Sequence, residues 1–170
     1  MKELKGELFA QEADAICITT NGFVKANGEC VMGRGCAKQL AQAHPKVPHI
    51  LGGLIKENGN ITQIMNPKHQ GTKIIAFPVK PVSEKFTGAN VVAHMSSKYK
   101  LGDVVAGWAC KASMSIIERS ARQLVQLADE HRWQKIVLPR AGCGAGELDW
   151  QDVRQVLSNI LDDRFHVITY

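Results

Sequence analysis

"VLPRAGCGAGELDW", residues 137–150, decides the fold. It continues the apolar run "KIVLP" (135–139), passes through six residues with almost no side chain, "AGCGAG" (141–146), and reaches Asp149, a residue suited to capping a helix. A buried strand that opens through bare backbone into a helix presents unpaired N–H groups and a partial positive charge at one end of the strand. Glycines let phosphate oxygens come up to those amides. The same glycines also serve sharp turns and close helix–strand packing, so this loop alone leaves both readings open.

A second stretch has the same grammar. "ADAICITTN" (13–21) is a short β-branched run closing on Thr20 and Asn21, and reads as a buried strand ending at polar groups. "GFVKANGECVMGRGC" (22–36) follows, with glycines at 22, 28, 33 and 35. From Arg34 to His44 the spacing of Ala37, Leu40 and Ala41 is helical, and Pro45 ends that segment. Neither loop carries GxxxxGK[ST] or GxGxxG, which sets aside the P-loop and dinucleotide fingerprints. In an α/β sheet both loops fall at the carboxyl edge of the strands, where ligands bind. Two bare loops at one edge suit a diphosphate gripped from two sides.

The rest of the chain supplies the layers. "VPHILGGLIKENGN" (47–60) reads as a helix weakened by Gly52 and Gly53, and "NITQIMNP" (60–67) and "TKIIAFPVKP" (72–81) as strands each stopped by proline. Ile117, Ala121, Leu124, Val125 and Ala128 share one face of a helix over 113–131. Trp150, Val153, Leu157, Ile160 and Leu161 share a face of a last helix capped by Asp149, and "FHVITY" (165–170) closes as a strand. Residues 81–112 have no clear period and predict a hairpin, a short helix or a lid. Alternating strands and helices over 170 residues predict one α/β domain with a largely parallel sheet.

Composition narrows the function. No apolar run approaches the roughly 18 residues that a membrane span needs, and "MKELKGELFAQEAD" (1–14) has charges where a signal peptide is apolar. A cytoplasmic protein with no membrane partner is expected. The five cysteines are odd in number and lack CxxC spacing, which predicts reduced thiols and no metal site. Cys143, with no histidine nearby in sequence to activate it, reads as a small residue tolerated beside glycines. His94, His131 and His166 show no metal spacing. Lys plus Arg is 21 and Asp plus Glu 16, so the net charge is 21 − 16 = +5, a balance that suits an anionic ligand from a nucleotide to a nucleic acid.

"GELF" (6–9), "ADAICITTN", "CVMGRGCAKQLAQAHP" (30–45), "FPVK" (77–80) and "LPRAGCGAGELDW" (138–150) resemble, in order and spacing, the macro domain family, nearest to its branch of terminal ADP-ribose glycohydrolases. The resemblance covers nearly the whole chain except residues 81–112, which look like an insertion. It implies a three-layer α/β/α sandwich with a mixed, largely parallel central sheet, and a ligand that is ADP-ribose, free or on an ADP-ribosylated target. No cofactor is implied. Glu7 and Leu8 match the position that contacts adenine, with glutamate where the family usually has aspartate. Asn21, after Thr20, matches the asparagine that reaches the distal ribose. Ile18 stands where the commoner family pattern has another asparagine. Cys30, Val31, Met32, Gly33, Arg34, Gly35 and Cys36 match the first diphosphate loop. The second is Gly142, Cys143, Gly144, Ala145 and Gly146, led in by Pro139, Arg140 and Ala141.

The related glycohydrolases use a lysine that attacks the anomeric carbon of the distal ribose and a carboxylate that handles protons. Lys80 matches the lysine; without the resemblance it reads as a solvated residue closing a strand. The family's aspartate falls at Gly146, which leaves Glu147 as the acidic candidate, beside a helix-capping Asp149. Three functions follow: an ADP-ribose binder that cleaves an ADP-ribosyl bond, a reader that binds without cleaving, and a basic nucleic-acid binder. The last lacks clustered aromatics for base stacking. Trp108 and Phe86 are candidates for a lid over the ligand or for a small core within residues 81–112.

Overall fold

The computed structural model describes residues 1–69 and 71–169. Along the chain run β1 (Lys2–Lys5), β2 (Ala15–Thr20), α1 (Gly35–Ala43), α2 (Val47–Asn58), β3 (Gln63–His69) and β4 (Thr72–Pro78). Then come β5 (Ser83–Lys85), β6 (Val104–Ala106), α3 (Met114–His131), β7 (Ile136–Pro139), α4 (Trp150–Ser158) and β8 (Phe165–Thr169). Six strands form one sheet in the order β1–β8–β7–β2–β4–β3, parallel throughout except for the antiparallel β3–β4 pair.

The two faces of β2 explain the layers. Ala15 and Cys17 point into a core with Ile117, Ala121 and Leu124 of α3 and Val153 and Leu157 of α4. Ile16 and Ile18 point the other way, against Leu40 of α1 and Val47, Leu51 and Ile55 of α2. Because both faces are covered, the strand reads as a continuous apolar run and not as an alternation. This is the expected α/β/α sandwich. Among the described residues no helix is long and apolar enough to cross a membrane.

Three elements differ from expectation. Lys2–Lys5 forms β1, an edge strand exposed at all four residues, and so carries no hydrophobic signature. Pro67 does not stop β3, which runs on to His69; β3 is the other edge of the sheet, and its register shifts between Met65 and Lys68, the kind of place where a strand tolerates proline. Gly52 does not weaken α2 without purpose. A Cβ there would lie 1.9 Å from the Gly28 carbonyl oxygen, so the missing side chain lets the helix pack directly on the backbone of the first loop. The Cys30 amide donates to the Pro48 carbonyl at 2.9 Å across the same contact.

Residues 81–112 are ordered. β5 and β6 pair as a small antiparallel ribbon, and a 3-10 helix spans Ala93–Lys98. Val91, Val105, Ala109 and Cys110 form a separate core, closed by Phe86, Met95 and Tyr99. Three-residue strands are too short to show a period, which is why the segment was silent in the sequence.

Candidate functional site

β2 and β7 are parallel neighbours, with Ala15 opposite Ile136, so the loops that leave their carboxyl ends lie side by side. Between these loops runs a cleft of about 1550 Å³. From the first loop Thr20, Asn21, Val31, Met32, Gly33, Arg34, Gly35 and Cys36 line it; from the second, Pro139, Arg140, Gly142, Cys143, Gly144, Ala145 and Gly146. Lys80 and Glu147 line it as well. Four expected residues do not. Leu8 and Cys30 are each 1% exposed, in the core against α1 and α2, and Ala141 is sealed in the opposite core. Glu7 is exposed at the head of a one-turn 3-10 helix, where its carbonyl accepts the Gln11 side-chain amide.

The cleft also takes in residues with no motif to announce them. Trp150 lines one end; its ring lies beneath the Arg140 guanidinium at 5.2 Å, and its Nε1 donates to Glu3 at 3.0 Å. Val92, His94 and Trp108 line the cleft alongside Lys80. Trp108 and Phe86 therefore part company: Phe86 packs in the small core, while Trp108 faces the cleft, 36% exposed.

The amides of the two loops are free for a ligand. Among the described residues, no protein acceptor takes the N–H groups of Met32, Gly33 and Arg34 in the first loop, or of Gly144, Ala145 and Gly146 in the second. The glycines sharpen the point. Gly33 and Gly144 have φ outside the left-handed region, and a Cβ on either would meet nothing within 4 Å. Neither backbone conformation nor packing within the chain calls for glycine there.

Asn21 braces the first loop: its Nδ2 donates to the Val31 carbonyl and its Oδ1 accepts the Phe23 amide, both at 2.9 Å. One N–H and one lone pair remain for a ligand. Cys143 is a thiol and not a thiolate; burial pushes its pKa up to about 11 against the pull of Arg140.

Lys80 is not the solvated lysine that closes a strand. It is 8% exposed, and its Nζ donates to the Trp108 carbonyl at 3.0 Å. Burial holds the amine below the ordinary lysine range; Cys110 and Glu147 oppose this and Arg34 assists. The Cys110 thiol is itself pushed up to about 11 by burial. A buried amine with a carbonyl acceptor and reduced basicity is suited to nucleophilic attack.

Glu147 adopts φ 63°, rare for a residue with a side chain, and its carboxylate accepts the Ala93 amide at 2.9 Å. Arg34 Nη2 meets His94 Nε2 at 3.3 Å. Both loops are thus tied to the same corner of the 81–112 segment, beside Lys80. Gly146 admits no side chain: a Cβ there would lie 2.5 Å from the Gly142 oxygen and 2.6 Å from the Ala112 Cβ.

The comparisons with known proteins bear on the fold. The macro domain family model matches residues 87–157, a span that begins inside the segment expected to be an insertion. Among solved structures the chain resembles the macrodomain of Mycobacterium tuberculosis DarG, with 18% identity and a TM-score of 0.70 over 99% of this chain and 97% of that one. The macrodomain of Thermus aquaticus DarG gives 22% identity and a TM-score of 0.69 over 99% and 96%. Thermosipho africanus DarTG, solved in complex with ADP-ribose, gives 16% and 0.66 over 98% of this chain and 41% of that chain. No curated protein matches the chain. The chain has the macro-domain fold, and the family resemblance read from its motifs stands.

Proposed function

We propose that this macro-domain chain binds ADP-ribose and cleaves an ADP-ribosyl linkage, with Lys80 as the nucleophile. The observation that carries the binding is the pair of loops with uncommitted amides at Met32–Arg34 and Gly144–Gly146, facing one cleft, with Gly33 and Gly144 bare where no contact within the chain requires it. The complex of Thermosipho africanus DarTG with ADP-ribose supports the choice of ligand. The orientation we infer for the ligand runs along the strand order β8–β7–β2–β4 and puts its distal ribose at Lys80. The diphosphate lies over the loops that follow β7 and β2, the adenosine end toward Trp150 and β8, and the distal ribose toward Lys80 after β4.

The cleavage uses groups already at the ribose end. The neutral Lys80 amine forms a bond to the anomeric carbon while the bond to the departing atom breaks and that atom keeps the electron pair. Glu147 takes the proton shed by the new ammonium and passes it to the departing atom. Water then replaces Lys80 at the carbon, returns a proton to the amine and frees ADP-ribose. A reader that binds without cleaving is the second reading, favoured by one observation: the Glu147 carboxylate is engaged by the Ala93 amide, and Gly146 has no room for the acid it replaces. Titration calorimetry tests the binding common to both. Saturable binding of ADP-ribose in the micromolar range supports it, and affinity no better than millimolar ends it.

A further inference from the structure

We infer that Asn60, a residue outside the cleft, positions Lys80 for attack by holding its main chain; this rests on Lys80 being the nucleophile of the proposed reaction. Lys80 lies two residues beyond the end of β4, between Val79, whose amide donates to the Thr20 carbonyl and whose carbonyl accepts the Ser113 amide, both at 2.9 Å, and Pro81, whose carbonyl accepts the Gly22 amide at 3.1 Å. Its amide reaches the Thr20 carbonyl only at 3.4 Å, and the following residue is a proline with no N–H to offer. The Lys80 carbonyl is held instead by Asn60 Nδ2, at 2.9 Å. Asn60 is itself fixed from α3, where Arg119 Nη2 donates to its carbonyl at 2.7 Å.

Two further features indicate that the amide is kept for this bond. A Cβ on Gly22 would lie 2.6 Å from Asn60 Cγ and 2.7 Å from both Asn60 Nδ2 and Val82 Cγ2, so the bare position at 22 admits the Asn60 side chain together with that of Val82. Asn60 Oδ1 is buried with no hydrogen-bond partner among the described residues. A buried, unpaired oxygen is a net cost, and turning the amide over would set it against the Lys80 carbonyl, acceptor to acceptor. The side chain is therefore retained for its donor end. Lys80 is held by Asn60 at the carbonyl and by Trp108 at the amine, and lines the cleft between these two holds. Without the Asn60 hold the Lys80 carbonyl loses its anchor while Val79 and Pro81 keep theirs, so the residue between them turns and its amine is released toward water.

The test titrates the Lys80 amine by NMR in wild type, Asn60→Leu and Gly22→Ala, with lysine labelled at Cε and the signal assigned by its loss in Lys80→Arg. Asn60→Leu removes the donor without adding a charge; Gly22→Ala pushes the amide aside and leaves Asn60 in place. Cys110, Glu147 and Arg34, the ionisable groups that act on Lys80, are unchanged in both. The expected result is a midpoint that rises toward that of an exposed lysine in both variants, with ADP-ribose affinity within about threefold of wild type. Where wild type releases ADP-ribose, the release rate falls about tenfold to a hundredfold. An unmoved midpoint in folded Asn60→Leu overturns the inference. A wild type that binds but releases nothing overturns the nucleophile reading instead, whatever the titration gives.

Discussion

Gly144→Val abolishes ADP-ribose binding and leaves the protein as stable as before. The expectation joins two facts about one position. A Cβ on Gly144 meets nothing within 4 Å and its φ lies outside the left-handed region, so a valine there is expected to be tolerated by the fold. Losing a glycine's freedom in the unfolded chain can even add about 0.4–1 kcal/mol of stability. In the complex the same side chain occupies the place of a phosphate oxygen and separates it from the amides of the second loop. Each hydrogen bond to a charged oxygen contributes about 1.5–3 kcal/mol, so losing two weakens binding by at least about a hundredfold. Calorimetry and a denaturation curve on the same sample check both halves. A variant that binds normally sinks the reading of the loop; one that unfolds makes Gly144 a structural glycine.

Lys80→Met separates chemistry from binding. Methionine keeps the stem and removes the amine, so release of ADP-ribose from a modified substrate falls by about 10²–10⁴-fold, the usual scale for losing a group that takes part in the chemical step. Affinity for free ADP-ribose holds, because the diphosphate contacts belong to the loops. In wild type the release rate rises with pH, since only the neutral amine attacks, and its midpoint lies below the ordinary lysine range in keeping with the burial of Lys80. Equal, background-level release from wild type and variant leaves the protein a reader.

How far the sequence carried this account depends on where each residue's constraint resides. β2, β7, α3 and α4 were legible because burial on a regular element imposes a period or an unbroken apolar run. The two loops were legible because glycine clusters are conspicuous. β1 was not, since an exposed edge strand of Lys2–Lys5 is held by backbone bonds to β8 and needs no apolar side chain. Leu8 matched a motif position, yet its side chain packs in the core, because a spacing match fixes a place in the chain and not the direction a side chain takes. Trp150, His94 and Asn60 could not be found from spacing at all. Each acquires its role from a contact across the fold: Trp150 with Glu3, His94 with Arg34, Asn60 with Lys80. The setting of Lys80 was likewise invisible, for its amine is bonded to the Trp108 carbonyl, 28 residues away in sequence.

The most direct test of the diphosphate clasp is an amide-resolved NMR titration with ADP-ribose. The N–H signals of Gly33, Arg34, Gly144 and Gly146 are predicted to move together and saturably as the phosphates reach them, while amides of β1 and the far end of α3 stay fixed. If ADP-ribose binds and those four signals do not move, the ligand is held elsewhere and the account of the two loops is contradicted.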